Sequence, residues 1–422
     1  MNTKLAIIAS AAAFATVLPA QTTINVMGAT DITVGGLIAV GLKNSEVTSL
    51  QRPADKAPVN ETYLCDNTSR FIISSTSKFA NGWMVLANVE SRFEVNDGPG
   101  TNLVPSIPGV GTTGATYGGW AEGETFGGIY SPYGTITFGK NSIYYADSLD
   151  SPIQGAPAGG ESYRIWDANG LSVFNMLSGV PSYAAGTAVG SKFTLGNTRA
   201  QGVVKYISPK FNGVQVVLAW SKNPYGSTLN YLGGTAPAAT PYSYENGGMA
   251  FAKVVYNSGP INANVSLLQI KNQGGPTAYN GNTDAYRAAC SYTFDFGLKV
   301  GVVFDHTAVS DNIVTATGAL QTASRDVWVI PVAYRFGDHG VYVTYSNAGS
   351  CSSIQNSGAY QTNIGYDYAM TKRAFIGVMY TMIHNDSAAD YAPFLGGTNL
   401  GPSGPIMGES WHQISLDLNY WF

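Results

Sequence analysis

From Asp31 onward, the chain alternates apolar and polar side chains at a period of two over most of its length. The C-terminal stretch shows the pattern most clearly. Its apolar set is Ile414, Leu416, Leu418, Tyr420 and Phe422, and its polar set is Gln413, Ser415, Asp417 and Asn419. Successive side chains of a β-strand point to opposite faces, so this period predicts strands with one apolar face. We therefore expect an all-β protein.

Gly- and Pro-rich breaks separate the predicted strands, and short connections alternate with long ones. The short connections lie at 78–82, 131–134, 208–213, 257–260, 295–297, 337–340 and 370–373. The long, polar connections lie at 44–61, 97–115, 142–196, 222–245, 272–283, 309–322, 347–358 and 385–409. This alternation predicts 16 antiparallel strands with both termini at the short-turn end.

Soluble sandwiches also alternate, but short turns at one end and long loops at the other indicate an outer-membrane barrel. Most predicted strands have about 10 to 14 residues, enough to cross a bilayer when tilted. A barrel leaves no unpaired sheet edge in lipid, and at about 16 strands it encloses water. We predict a 16-stranded antiparallel transmembrane β-barrel, apolar outside and polar inside.

The N-terminus has the features of a secretory signal peptide. Lys4 precedes a short apolar run, and Leu18-Pro19-Ala20 supplies a small residue at the expected cut. The run is too short for a membrane-spanning helix. We predict a signal peptide at 1–20 and a single barrel domain at 21–422.

Composition narrows the function further. Charged residues make up only 11% of the chain and its formal net charge is −4, so there is no basic footprint for nucleic acid. The cysteines, Cys65, Cys290 and Cys351, are too few and too scattered for a disulfide framework or a zinc site, and at most one bridge can form. We expect no cofactor, no metal and no nucleic-acid partner.

The connection between Gly139 and Arg199 is unusually long. It carries Trp166, Phe174 and Met176, which a solvated linker does not need. Irregular segments of this length within a domain are usually functional or disordered. The apolar content favours a segment that packs against another part of the chain.

Three stretches and the last residue carry a resemblance to a known family. They are ETFGGIYSPYGTITFGK at 124–140, RAQGVVKYISPKFNG at 199–213, YDYAMTKR at 366–373, and Phe422. The chain resembles the general diffusion porins of Gram-negative outer membranes, closest to the trimeric type of beta-proteobacteria. The resemblance implies an outer-membrane homotrimer in which small hydrophilic solutes and ions diffuse passively. It also implies that the third external loop, the long connection above, folds into the lumen.

The resemblance also implies a pore constriction with basic groups on the wall and acidic groups on that loop. Arg70, Lys140 and Arg199 match the basic positions, Glu90 matches a wall acid, and Glu161 matches a loop acid. Sequence parity independently gives Arg199 the same face as Gln201 and Lys205, and Glu90 the same face as Asn88. Charges on the lipid face cost about 2–4 kcal/mol at the midplane, so we expect these side chains to point inward.

The chain departs from the family pattern at two places. Pro157-Ala158-Gly159-Gly160-Glu161 lacks a central glutamate, and Leu37 stands where some members carry a wall lysine. Two further loop acids, Asp147 and Asp150, are constriction candidates or turn-forming residues. With one loop acid missing and three wall cations present, we expect a weak anion preference.

Two alternative functions stay open. A barrel enzyme would need a site built from the four histidines, none of which lies in a Gly-x-Ser-x-Gly or metal-ligand pattern. These are His306, His339, His384 and His412. A substrate-selective channel for a sugar or small organic acid would use aromatic residues of the third loop, namely Tyr144, Tyr145, Tyr163 and Trp166.

Overall fold

The computed structural model describes residues 22–26, 30–48, 60–66, 69–93, 95, 121, 123–143, 199–222, 248–271, 282–314, 320–352, 354–389, 391 and 408–422. The predicted signal peptide at 1–20 lies outside these residues. Within the described ranges, no helix combines the length and hydropathy needed to cross a membrane.

The described chain is built from β-strands and one short 3-10 turn at Ala80–Gly82. The strands are β1 (Thr22–Val26), β2 (Thr30–Thr48), β3 (Asn60–Asp66), β4 (Arg70–Lys78), β5 (Met84–Arg92), β6 (Thr125–Ser131), β7 (Gly134–Ser142), β8 (Arg199–Ile207), β9 (Val214–Ser221), β10 (Gly248–Ser258), β11 (Ile261–Lys271), β12 (Asn282–Thr293), β13 (Leu298–Val314), β14 (Leu320–Phe336), β15 (His339–Ala348), β16 (Ala359–Ala369), β17 (Ala374–Asn385) and β18 (Ser410–Trp421). All strand pairs are antiparallel, and the sheet closes through β9–β10 and β18–β2.

These 18 strands occupy 16 barrel positions, because β2 is long enough to pair with two strands along each edge. On one edge β18 pairs as far as Leu37 and β1 continues from Val34. On the other edge β3 pairs as far as Val40 and β4 continues from Leu37. The predicted 16-stranded antiparallel barrel is confirmed, whereas β1 and the division of the second position into β3 and β4 were not predicted.

Ser69 explains how the wall survives the break between β3 and β4. Its hydroxyl accepts from the Ala39 N–H at 3.0 Å and lies 3.3 Å from the Ala39 carbonyl oxygen, to which it donates. The Asp66 carboxylate in turn accepts from the Ser69 N–H at 2.8 Å. The Ser69 side chain thus satisfies the backbone of Ala39 in the gap between β3 and β4, as lipid-embedded backbone requires.

The seven predicted short turns are all present between consecutive strands. Left-handed residues make several of them, for example Asn212 (φ 47°) and Gly213 (φ 86°) in the β8–β9 turn. The predicted long connection at 309–322 is too long by several residues. A register shift between Val309 and Ile313 lets β13 continue to Val314, and β14 begins at Leu320.

Side-chain exposure follows the predicted alternation. On β18, outward Ile414 is 54% exposed, whereas inward Gln413 is 1% exposed. The outward face at the short-turn end carries an aromatic girdle, in which the rings of Tyr334 and Phe336 stack at 5.5 Å and that of His339 follows at 5.2 Å from Phe336. The inner wall is mostly polar but includes an apolar patch on β8–β12 that contains Val203, Phe251 and Leu268. The outward face is therefore mainly apolar, and most charged side chains of the strands lie on the inner wall.

Gly36 sits at the closing seam. Its N–H donates to the Phe422 carbonyl at 3.0 Å and its carbonyl accepts from the Phe422 N–H at 3.1 Å. A Cβ on Gly36 would lie 2.4 Å from the Arg70 carbonyl oxygen and 2.5 Å from the Phe422 ring. The seam therefore tolerates no side chain at this position.

We predict that Gly36→Ala destabilises the folded barrel by about 1–3 kcal/mol, because the added methyl group overpacks the seam. The measurement is urea unfolding of detergent-folded protein followed by heat-modified gel mobility. Gly248→Ala is the matched control, since its Cβ would meet nothing closer than the Ser221 carbonyl oxygen at 3.5 Å. Equal stability of the two variants would contradict the packing argument.

Candidate functional site

A carboxylate between two guanidinium groups forms the centre of the site on the inner wall. Glu90 of β5 lies 3.5 Å from Arg70 of β4 and 3.8 Å from Arg199 of β8, measured from its Oε1 to the nearest guanidinium nitrogens. The three side chains are 6%, 12% and 18% exposed, respectively. At this burial the charges are screened much less than surface pairs, so one acid holds two cations against the wall.

Glu124, directly before β6, extends the site. Its N–H donates to Glu90 Oε2 at 3.4 Å, and its own Oε1 accepts from the Ser142 N–H at 2.6 Å. Lys205 of β8 donates from Nζ to the Ser142 carbonyl at 2.7 Å. The five side chains Arg70, Glu90, Glu124, Arg199 and Lys205 thus form one connected group, which we call the inner-wall cluster.

Gly123 allows Glu90 to reach this position. A Cβ at Gly123 would lie 2.3 Å from the Glu90 carboxyl carbon, so only glycine leaves space for the carboxylate there. The Gly123 N–H also donates to the Glu90 carbonyl at 2.9 Å. Local backbone pairing therefore fixes the acid that the two arginines share.

Burial raises the pKa of the Glu124 carboxyl above its ordinary value. Lys205 and Arg199 oppose this shift by favouring the charged form, as does the hydrogen bond from the Ser142 N–H, while Glu90 adds to it. Loss of hydration is the largest cause. The neutral form of Glu124 is therefore favoured more strongly than that of a solvated carboxyl group.

The structure brings together three of the residues predicted from sequence, Arg70, Glu90 and Arg199. Lys140 has the opposite ladder parity. Lys140 pairs with Thr125 and has the ladder parity of Ile136 and Phe138, which are exposed on the outward face. The remaining candidates, Asp147, Asp150 and Glu161, lie outside the described residues.

The parity argument for Arg199 is wrong. Gly139 pairs with Val203, but Asn141 pairs with Ala200, so β8 has one extra residue near Gly202, which has φ 58°. This bulge puts Arg199 out of phase with Lys205. Arg199 still reaches Glu90, because it stands at the strand end, where its side chain turns toward β5.

Two members of the cluster, Glu124 and Lys205, were missed as site residues in the sequence. A lone lysine in the otherwise apolar and small stretch at 202–207 was the available signal, since a charged side chain in a membrane strand must face inward. Glu124 gave no such signal, because it precedes its strand. Leu37 lies fully buried and pairs with Arg70 in the β2–β4 ladder. The described wall therefore has a leucine at the position where the family resemblance implied a lysine in some members.

The four histidines all have outward ladder parity, away from the inner-wall cluster. Their ring nitrogens lie close to Asp326 (2.5 Å from His306), Tyr366 (2.7 Å from His339), Ser410 (2.9 Å from His384) and Tyr380 (2.7 Å from His412). The described ranges contain no group of three or more His, Cys, Asp or Glu that could hold a metal ion. Cys290 is exposed on the outward face, while Cys351 is buried.

A family model described as "Gram-negative porin" matches residues 6–388. No curated protein matches the sequence. Among solved structures, the anion-selective porin from Comamonas acidovorans is 15% identical, with a TM-score of 0.66 over 93% of this chain and 100% of that chain. OmpT of Vibrio cholerae in a trimer form is 13% identical, with a TM-score of 0.56 over 93% of this chain and 100% of that chain. Salmonella typhi OmpF in complex with daunomycin is 12% identical, with a TM-score of 0.53 over 95% of this chain and 100% of that chain. At these identities the structural likeness shows a common fold.

We predict that Glu124→Gln removes a pH dependence of barrel stability. A raised folded-state pKa stabilises the fold at pH values below the ordinary Glu pKa, and this contribution is lost as pH rises through the folded pKa. The amide stays neutral, so the wild type should lose stability relative to the variant as pH rises. The measurement is the heat-modification midpoint from about pH 4 to about pH 8.

The exposed Glu46 supplies the matched control, since Glu46→Gln removes a carboxylate without touching the cluster. A constant difference between wild type and Glu124→Gln at every pH would contradict the burial argument.

Proposed function

Because the chain belongs to the Gram-negative porin family, we propose that its inner-wall cluster filters the small hydrophilic solutes and ions that cross its channel. As a member of that family, the protein is an outer-membrane β-barrel that forms a diffusion channel and is not an enzyme. The observation that carries the proposal is the sharing of Glu90 by Arg70 and Arg199 on the inner wall.

The charge balance of the cluster favours a weak anion preference. Arg70, Arg199 and Lys205 supply three cations against the carboxylates of Glu90 and Glu124, and burial favours the neutral form of Glu124. Fixed charges in a narrow, poorly hydrated passage act on passing ions more strongly than surface charges do. Anions are therefore attracted more than cations, although the whole chain is net negative.

The third external connection completes the proposed constriction. Ser142 pairs with Arg199, so residues 143–198 leave and re-enter the wall beside the cluster. The apolar patch on the inner wall of β8–β12 supports an inward fold, because Trp166, Phe174 and Met176 of that connection need an apolar partner. In this arrangement Asp147, Asp150 and Glu161 supply acidic groups that face the wall cations.

A homotrimer is the proposed assembly. Outward positions on β4–β6 include the small residues Ser75, Ser77, Ala87 and Gly127. Outward aromatic side chains instead concentrate on β10–β18, where an interfacial girdle contacts lipid headgroups. These small residues lie among larger apolar ones such as Val85 and Ile129, and they allow a second barrel to approach closely. Closed symmetry then gives a ring. The trimer form of OmpT of Vibrio cholerae has a barrel of the same fold.

We predict that Arg70→Gln combined with Arg199→Gln shifts ion selectivity toward cations. The double change removes two of the three cluster cations and leaves Glu90 without them. The measurement is the reversal potential of the channel in a planar bilayer under a salt gradient. Lys140→Gln is the matched control, because the ladder gives Lys140 outward parity. An unchanged reversal potential in the double variant, or an equal shift in the control, would refute the proposed filter.

We predict that the native protein is trimeric in mild detergent and that Ala87→Arg dissociates it. The new charge disrupts a close protein contact, which has no room for a guanidinium group. Ala288→Arg serves as the control, since it puts the same charge on the outward face of β12. Native mass spectrometry gives the oligomeric state. A monomeric wild type, or equal dissociation by both variants, would argue against this interface.

A further inference from the structure

Two external connections are tied to each other above the strands. The connection between β15 and β16 includes 354–358, and the one after β17 includes 386–389 and Tyr391. The Asp386 N–H donates to the Gly358 carbonyl at 2.9 Å, and the Ala388 N–H donates to the Asn356 carbonyl at 2.8 Å. We call these two segments, together with Cys351, the external cap.

The external cap packs toward the lumen rather than outward. Its residues Ala389 and Tyr391 are buried in one apolar cluster with side chains that have inward ladder parity. These wall residues come from β2 and from the consecutive strands β12 to β18. The larger ones are Val47, Val303, Val327, Val329, Ile383 and Trp411. The cap therefore lies against the inner wall on this side of the barrel.

Arg325 of β14 holds the cap to the wall. It has inward parity, is 2% exposed, and donates to the Tyr391 hydroxyl and to the Ser357 carbonyl. Its guanidinium carbon also lies 5.2 Å from the centre of the Tyr391 ring, within the range of a cation–π contact. One side chain thus contacts both segments of the cap.

Further hydrogen bonds fix the two acceptors of Arg325. Asn385 accepts from the Tyr391 N–H at 3.0 Å and donates to the Tyr391 carbonyl at 2.8 Å. The Ser357 hydroxyl accepts from the Cys351 N–H at 2.8 Å and donates to the Ile354 carbonyl at 2.8 Å. The acceptors are therefore held in place before Arg325 binds them, which lowers the entropy cost of the contact.

We infer that the external cap is a second filter, which limits the size of hydrophilic solutes entering the mouth, and that Arg325 is its latch. The inference rests on the channel function proposed above but not on the inner-wall cluster, which lies on β4–β8. Charge is selected at the cluster, and size is limited at the mouth by the cap. Solutes that the cap excludes are neutral, bulky and hydrophilic, such as oligosaccharides.

Cys351 reports directly on the cap, because it is a buried member of it and its N–H is bonded to the Ser357 hydroxyl. In a Cys65→Ser, Cys290→Ser background, a membrane-impermeant maleimide should label the parent slowly. Arg325→Met should raise the labelling rate by about tenfold or more, because it leaves the Tyr391 hydroxyl and Ser357 carbonyl without their buried donor. Lys299→Met, which removes an inner-wall cation near the short-turn end of β13, should leave the rate unchanged.

The size limit is measured with the same variants in liposomes, by swelling with sugars of increasing length. Arg325→Met should admit sugars that the parent and Lys299→Met exclude. An unchanged labelling rate would overturn the latch, and a raised rate with an unchanged size limit would overturn the filter. If Arg325→Met does not fold into a heat-modifiable barrel, Tyr391→Ala decides by the same two measurements. Absence of swelling with every sugar in the parent and in both variants would count against the channel function, while the labelling rate still tests the latch.

Discussion

The fold depends on the requirement that every backbone N–H and C=O within the bilayer find a partner. β2 meets this requirement with four partner strands. It pairs with β18 and β1 on one edge and with β3 and β4 on the other. Where β3 and β4 leave Ala39 unpaired, the Ser69 hydroxyl satisfies its backbone. Where β18 ends, Phe422 bonds to Gly36, and the closed ladder leaves no edge for lipid to solvate.

Closure also decides where charge can go. Ionised groups on the outward face are costly in lipid, so most charged side chains of the strands lie on the inner wall. Buried ions are costly unless they are paired, which explains why Glu90 contacts two arginines and why Lys205 takes a backbone carbonyl. The same loss of hydration raises the pKa of Glu124. The charge selectivity proposed for the channel therefore depends on the same ion pairs and hydrogen bonds that stabilise the buried charges of the wall.

Sequence reasoning recovered the 16 barrel positions and the seven short turns, because period-two alternation and Gly-rich turns are local signals. It failed where a single residue changes the phase of a strand. The bulge near Gly202 invalidated the parity of Arg199, and the break at Ser69 hid the pairing of β3 and β4 with β2. Lys140 matched a family motif, yet the ladder turns it outward, since a motif match does not specify the pleat. Glu124 was missed because contacts between separate strands create its environment.

The external cap and the inner-wall cluster use arginine for different purposes. In the cluster, Arg70 and Arg199 are compensated by a carboxylate and remain 12% and 18% exposed. At the cap, Arg325 of β14 is almost fully buried and bonds to Tyr391 and Ser357. A well-packed apolar side chain would often give equal or greater stability at such a position. The guanidinium group instead gives specificity. Its donors have a fixed geometry, so they select one arrangement of the two cap segments.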